Sequence, residues 1–165
     1  MRILAAAGLT ALALTLAACS PAEAPSPAGT ADAADAELLA GPLSILDGVV
    51  YIPAGDRDVT AGFGTLAAGE RAVSLTGGSA GFAEAVEFHT HSMDADGRMA
   101  MRQVESYDIP ANGAHELRRG GDHMMFFGVD RSALVAGETV DVTVRGVFED
   151  GTSEEFVLTL TVSEL

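Results

Sequence analysis

The chain has 165 residues, room for one domain or for one domain and a tail. Twenty-four acidic residues against nine basic ones give a formal charge of −15 and argue against nucleic acid and against a basic patch on anionic lipid. The hydrophobic share of 48% is too high for a disordered chain, and 19 glycines with no tryptophan favour a turn-rich β protein over a helical bundle.

Residues 1–18 read MRILAAAGLTALALTLAA. Arg2 precedes an apolar run that gives way to small residues, the pattern of a secretory signal. The run is too short and too poorly flanked for a transmembrane helix. It ends at Leu16-Ala17-Ala18-Cys19, which resembles the bacterial lipobox. That likeness implies cleavage before Cys19 and lipid on Cys19. Ser20, where an aspartate would signal retention at the inner membrane, favours the outer membrane of a Gram-negative cell. The expected location is the cell envelope, on the periplasmic side, with the lipid as the only membrane contact. Cys19 is the only cysteine, so the mature domain is expected to have no disulfide and no thiolate metal ligand. Residues 19–41 read as the lipidated cysteine and a flexible tether, rich in Pro, Ala, Ser and acidic residues and too poor in large apolar groups to offset ordering entropy.

From residue 42 to residue 165 short apolar runs alternate with turn residues. Strands are predicted over Ile45 to Ile52 and over Asp58 to Leu66, the second with Val59, Ala61, Phe63 and Thr65 on one side. Ala72 to Leu75 reads as a short strand broken by Thr76-Gly77-Gly78-Ser79. Ala85 to Met93 is the strongest candidate: Val86 and Phe88 oppose Glu87, His89, His91 and Met93. Asp94-Ala95-Asp96-Gly97 is a hairpin signal and Arg98 to Val104 the returning strand. Ile109 to Gly113 reads as a loop, Ala114 to Leu117 as a strand fragment, and Asp122 to Val129 as a strand after Gly120-Gly121. Thr139 to Phe148 and Glu155 to Val162 form a hairpin across Asp150-Gly151. This spacing fits an all-β Greek-key sandwich, with a small closed barrel as the alternative.

All four histidines, and every methionine except Met1, lie between His89 and Met125. Alternation puts His89, His91 and Met93 on one face of their strand, Met99 and Met101 on one face of the next, and His123 and Met125 on one face of a third. Thioether sulfur is a soft neutral donor and imidazole a borderline one, so a His/Met set without thiolate suits Cu(I). Zinc would recruit Cys, His or carboxylate, and calcium or magnesium would need oxygen. Asp122 is a candidate to orient the His123 imidazole, and His115 reads as a solvated strand residue.

The stretch from Val86 to Met93, then Gly97-Arg98-Met99-Ala100-Met101-Arg102, then Gly120-Gly121-Asp122-His123-Met124-Met125 resembles the periplasmic copper chaperone family PCuAC. The family signature is His, ten residues, Met, twenty-one residues, then His-x-Met. Here 21 residues separate Met101 from His123, and 11 separate His89 from Met101, one more than the signature, an insertion expected in the turn over 94–97. The resemblance covers about residues 42 to 165 and implies a cupredoxin-like sandwich with a surface Cu(I) site. It carries the ligands over to His89, Met101, His123 and Met125, with His91 an alternative to His89 on the same face and Met93 and Met99 as accessory or shielding residues. It further implies a monomeric copper chaperone that passes Cu(I) by ligand exchange to an envelope acceptor, cytochrome c oxidase at its copper centres or another copper chaperone. Two other readings use the same residues: a periplasmic copper buffer or resistance protein, and a structural lipoprotein without metal. No Ser/His/Asp arrangement, cofactor loop or carboxylate pair suggests an enzyme.

Overall fold

Alternation of buried and exposed side chains over short runs, punctuated by glycine turns, produces a nearly all-β domain. The computed structural model describes residues 41–93 and 96–165. The predicted signal, Cys19 and nearly all of the tether lie outside the described residues, as do positions 94 and 95 of the predicted hairpin turn. Ten strands follow in chain order: β1 (Leu43–Tyr51), β2 (Val59–Ala68), β3 (Val73–Ala80), β4 (Ala83–Met93), β5 (Met99–Gln103), β6 (Tyr107–Ile109), β7 (Ala114–Leu117), β8 (His123–Phe127), β9 (Thr139–Phe148) and β10 (Ser153–Ser163). A 3-10 turn over Arg131–Ala133 is capped by the Asp130 carboxylate, which accepts from the Ser132 amide.

The hydrogen-bonded order is β5-β4-β8-β2-β1-β10-β9-β3-β6, with β7 attached to β2. All pairings in this order are antiparallel except β1 with β10, which is parallel. A further pairing of β3 with β4 joins the two sides of the sheet, so the sandwich closes on itself as a barrel and its central strands lose their free edges. Closure depends on the glycines that the sequence reading took as a strand break. β3 runs through Thr76-Gly77-Gly78-Ser79 with a bulge between Leu75 and Gly77. At Gly78 the strand pairs with Val144 of β9 on one edge and Val86 of β4 on the other. A Cβ there would stand 2.9 Å from the Thr143 carbonyl oxygen, so the seam needs a residue without a side chain.

The core lies inside the barrel, with Val50, Leu66, Leu75, Met124, Phe126, Val142, Val144 and Leu160 all essentially solvent-inaccessible. Removing a side chain of this size from water stabilises the fold by about 1.5–3 kcal/mol. In β8, Met124 and Phe126 point into this core, so by the two-residue period His123 and Met125 point to the outer face. In β4, Val86 and Phe88 are buried, and Glu87, His89 and His91 take the outer face. The segment before the predicted loop contains one strand the sequence reading missed: β6, whose Tyr107 and Ile109 are buried while Asp108 is exposed.

Candidate metal centre

The outer face of β4, β5 and β8 gathers the histidines and methionines in register. His89 of β4 stands opposite His123 of β8, and Glu87 opposite Met125. On the other edge of β4, His91 stands opposite Met101 of β5 and Met93 opposite Met99. Opposed residues in an antiparallel pair project to the same side, so these side chains form one array. Burial is graded along it: His123 is 3% exposed and Met125 8%, whereas Met101 is 48% exposed.

The hydrogen bonds fix where the imidazole lone pairs are. The Gly121 carbonyl lies 2.9 Å from His123 Nδ1 and 3.3 Å from His91 Nδ1. A carbonyl only accepts, so both rings carry their proton on Nδ1 and present a bare Nε2. His89 is held the other way round. Its Nε2 is 2.8 Å from the Glu87 carboxylate, which fixes the proton on Nε2. Its Nδ1 is then a bare lone pair, buried and without a hydrogen-bond partner in the protein. An orphaned buried acceptor costs free energy unless something else occupies it.

The decisive contact is between His123 Nε2 and Met101 Sδ, 3.2 Å apart. Burial pushes the His123 imidazole below the usual histidine range, and nearby His91 and His89 add to this, against the opposing pull of the Gly121 carbonyl. The ring is therefore neutral near neutral pH. Two electron-pair donors then face each other with no proton between them, an arrangement that a soft cation resolves. Met125 lines the same face one rung along β8. Among the described residues no group of three His, Cys, Asp or Glu side chains could hold a metal ion, so a site here requires the thioethers.

The surroundings hold this geometry in place. Gly121 closes a turn by donating its N–H to the Arg118 carbonyl at 3.1 Å. Gly120 inside that turn has φ of 75°, which favours glycine. The turn thus aims the Gly121 carbonyl at both rings. Tyr107, 3% exposed, ties the two histidine strands together: its hydroxyl donates to the His89 carbonyl at 2.6 Å and accepts from the His123 amide at 3.0 Å. Burial raises this phenol well above its usual range, so it stays protonated. Phe63 of β2 and Phe127 of β8 flank the rings, with centroids 6.1 Å from His123 and 6.0 Å from His89 respectively.

Two expectations are corrected. Asp122 does not orient His123; its carboxylate lies 2.9 Å from His115 Nε2, and the Gly121 carbonyl takes His123 Nδ1 instead. His115 is correspondingly not a freely solvated residue: it is part-buried and stacks on Tyr107 at 4.7 Å. The four residues His89, Met101, His123 and Met125 are brought to one face, and so is His91, whose ring lies 5.0 Å from that of His123. Glu87, Gly121, Tyr107 and Phe63 were not foreseen. Glu87 alone carried a signal, its position two residues before His89 on the same face.

Comparison with known proteins bears on this arrangement. The copper-bound PCuAC domain from PmoF2 matches with a TM-score of 0.58 at 17% identity, over 76% of this chain and 95% of that one. The solution structure of CuI-DR1885 from Deinococcus radiodurans matches with a TM-score of 0.54 at 29% identity, over 84% of this chain and 93% of that one. The apo form of DR1885 matches with a TM-score of 0.51 at 27% identity, over 96% of this chain and 97% of that one. The fold is thus that of PCuAC domains, as the sequence motif implied. No match was found among curated proteins. The family model described as "Putative lipoprotein LpqE-like" matches residues 43–160, well over half of the chain. The chain belongs to the LpqE-like family.

Proposed function

We propose that the domain is an envelope copper chaperone that carries one Cu(I) ion as cargo on His89, Met101, His123 and Met125. The observation that carries the reading is the bare Nε2 of buried His123 facing the Met101 thioether at 3.2 Å. The buried, unpartnered Nδ1 of His89 supplies a second imidazole donor on the opposed strand. Imidazole and thioether bind a metal as neutral donors, so the four ligands suit a monovalent soft ion. The copper-bound PCuAC domain from PmoF2 and CuI-DR1885 are similar to this chain in fold and lend the reading weight.

Release follows from the burial gradient. His123 and Met125 are buried and hold their positions, while Met101 is half-exposed on β5. An incoming acceptor ligand can displace the Met101 sulfur first, without opening the core. Copper stays Cu(I) throughout, so the handover is ligand exchange and no substrate bond is made or broken. Residues 1–18 act as the signal, Cys19 takes the lipid, residues 19–41 act as the tether, and residues 42–165 carry copper as a monomer on the periplasmic side. The acceptor is an envelope copper protein, with the copper centres of cytochrome c oxidase as the destination.

A deletion strain tests delivery. Loss of oxidase activity under copper limitation, restored by the wild-type chain and not by one carrying His123→Ala, supports the proposal. Normal oxidase activity with growth impaired only at high copper would overturn delivery in favour of buffering.

A further inference from the structure

Besides Met124, which is buried in the core, two methionines of the described residues lie outside the four-residue site. Met93 and Met99 are 65% and 58% exposed, and with Met101 they make up three of the six large hydrophobic side chains most exposed on the described surface. Core packing does not explain them, since neither is packed. They face each other as a directly opposed pair at the turn end of the β4–β5 hairpin. The next opposed pair inward is His91 with Met101, and Met101 Sδ already touches His123 Nε2. Successive pairs on one face are about 7 Å apart along the strands. The hairpin therefore presents a ladder of soft donors: Met93/Met99, then His91/Met101, then His123 beside His89. Exposure falls from 65% at the outer end to 3% at His123. His91 is prepared as the middle step, because the Gly121 carbonyl holds its Nδ1 proton and leaves Nε2 bare.

We propose that Met93 and Met99 form a second, weaker Cu(I) station that captures the ion from solution or from a donor and passes it inward through His91 and Met101 to the buried site. Two thioethers opposed on a hairpin end can hold a soft monovalent cation with few donors, as capture requires. The buried pair His89/His123 then takes the ion because it offers imidazole in a drier setting. This inference rests on the copper reading of the deeper site. Transfer along the ladder exchanges neutral donors around Cu(I) one at a time and moves neither protons nor electrons.

The test uses the full chain in detergent, with each methionine methyl group labelled and followed by NMR while Cu(I) is added anaerobically. The first equivalent is expected to shift the methyls of Met101 and Met125, and the second those of Met93 and Met99. Met93→Leu/Met99→Leu keeps side-chain volume and should fold normally. It is expected to lose the second equivalent and to fill the deep site several-fold more slowly, at unchanged deep-site affinity. Met93 and Met99 methyls that stay unmoved at excess Cu(I), or a double variant that loads at the wild-type rate, would overturn the station. If Met93 and Met99 shift and Met101 and Met125 do not, the deep site is overturned and the relay with it, so which methyls move separates the two failures.

Discussion

Removing the Glu87 carboxylate should weaken copper binding without weakening the fold. Glu87 accepts from His89 Nε2 at 2.8 Å, and that bond is what leaves His89 Nδ1 as the free donor. Without it the ring can turn or change tautomer, and Nδ1 is no longer fixed as the unprotonated nitrogen. Carboxylates that orient metal-binding histidines are worth about 10- to 100-fold in affinity, or about 1.4 to 2.8 kcal/mol. The Glu87 side chain is 35% exposed, so Glu87→Ala leaves no closed cavity and should change stability by no more than about 0.5 kcal/mol. Glu87→Gln keeps an oxygen that accepts the same hydrogen bond and should lose less than Glu87→Ala. The assay is Cu(I) competition against a chromophoric chelator, with urea unfolding of the apo form alongside. Wild-type affinity in Glu87→Ala, with a clear loss in His89→Ala, would refute the orienting role.

Other consequences follow from the same geometry. Tyr107→Phe removes the hydroxyl that bridges the His89 carbonyl and the His123 amide; denaturant unfolding should show a loss of about 1–3 kcal/mol. Gly62→Ala would place a Cβ 2.9 Å from Phe126 Cε2 in the filled core, and should lower stability by about 1–3 kcal/mol in the same assay. Cys19→Ser should move the chain from the membrane fraction to the soluble or unprocessed fraction on cell fractionation, and unchanged membrane association would count against the lipid anchor. Met101→Leu, at an exposed position, should leave the melting temperature unchanged and raise the Cu(I) dissociation constant by at least about tenfold, which is about 1.4 kcal/mol.

The sequence was most legible where one side of a strand is buried. In Ala85 to Met93 and in HMMFFGV the period of two sorted core from outer face correctly, and with it the side on which the ligand candidates stand. The Thr139 to Phe148 strand was legible for the same reason: Val142 and Val144 are fully buried. Glycine misled the reading in β3, because a Gly-Gly pair breaks an isolated strand but here lets two neighbours approach at a seam. β6 was missed because three residues are too few to show a period. The neighbours that tune the site were hidden for another reason. The Tyr107 hydroxyl reaches the backbone of His89 and His123, and the Gly121 carbonyl reaches the ring of His91, all far apart in sequence and brought together only by the fold.

The most direct test of the account is an anaerobic titration of the purified chain with Cu(I) against a chelating competitor. Wild type, His123→Ala/Met125→Ala and the surface variant Met101→Leu would be compared, with circular dichroism to check folding. The account predicts one tight equivalent in the wild type, lost in the double variant and weakened in Met101→Leu. Absence of tight binding in the wild type, or wild-type affinity in the folded double variant, would contradict it.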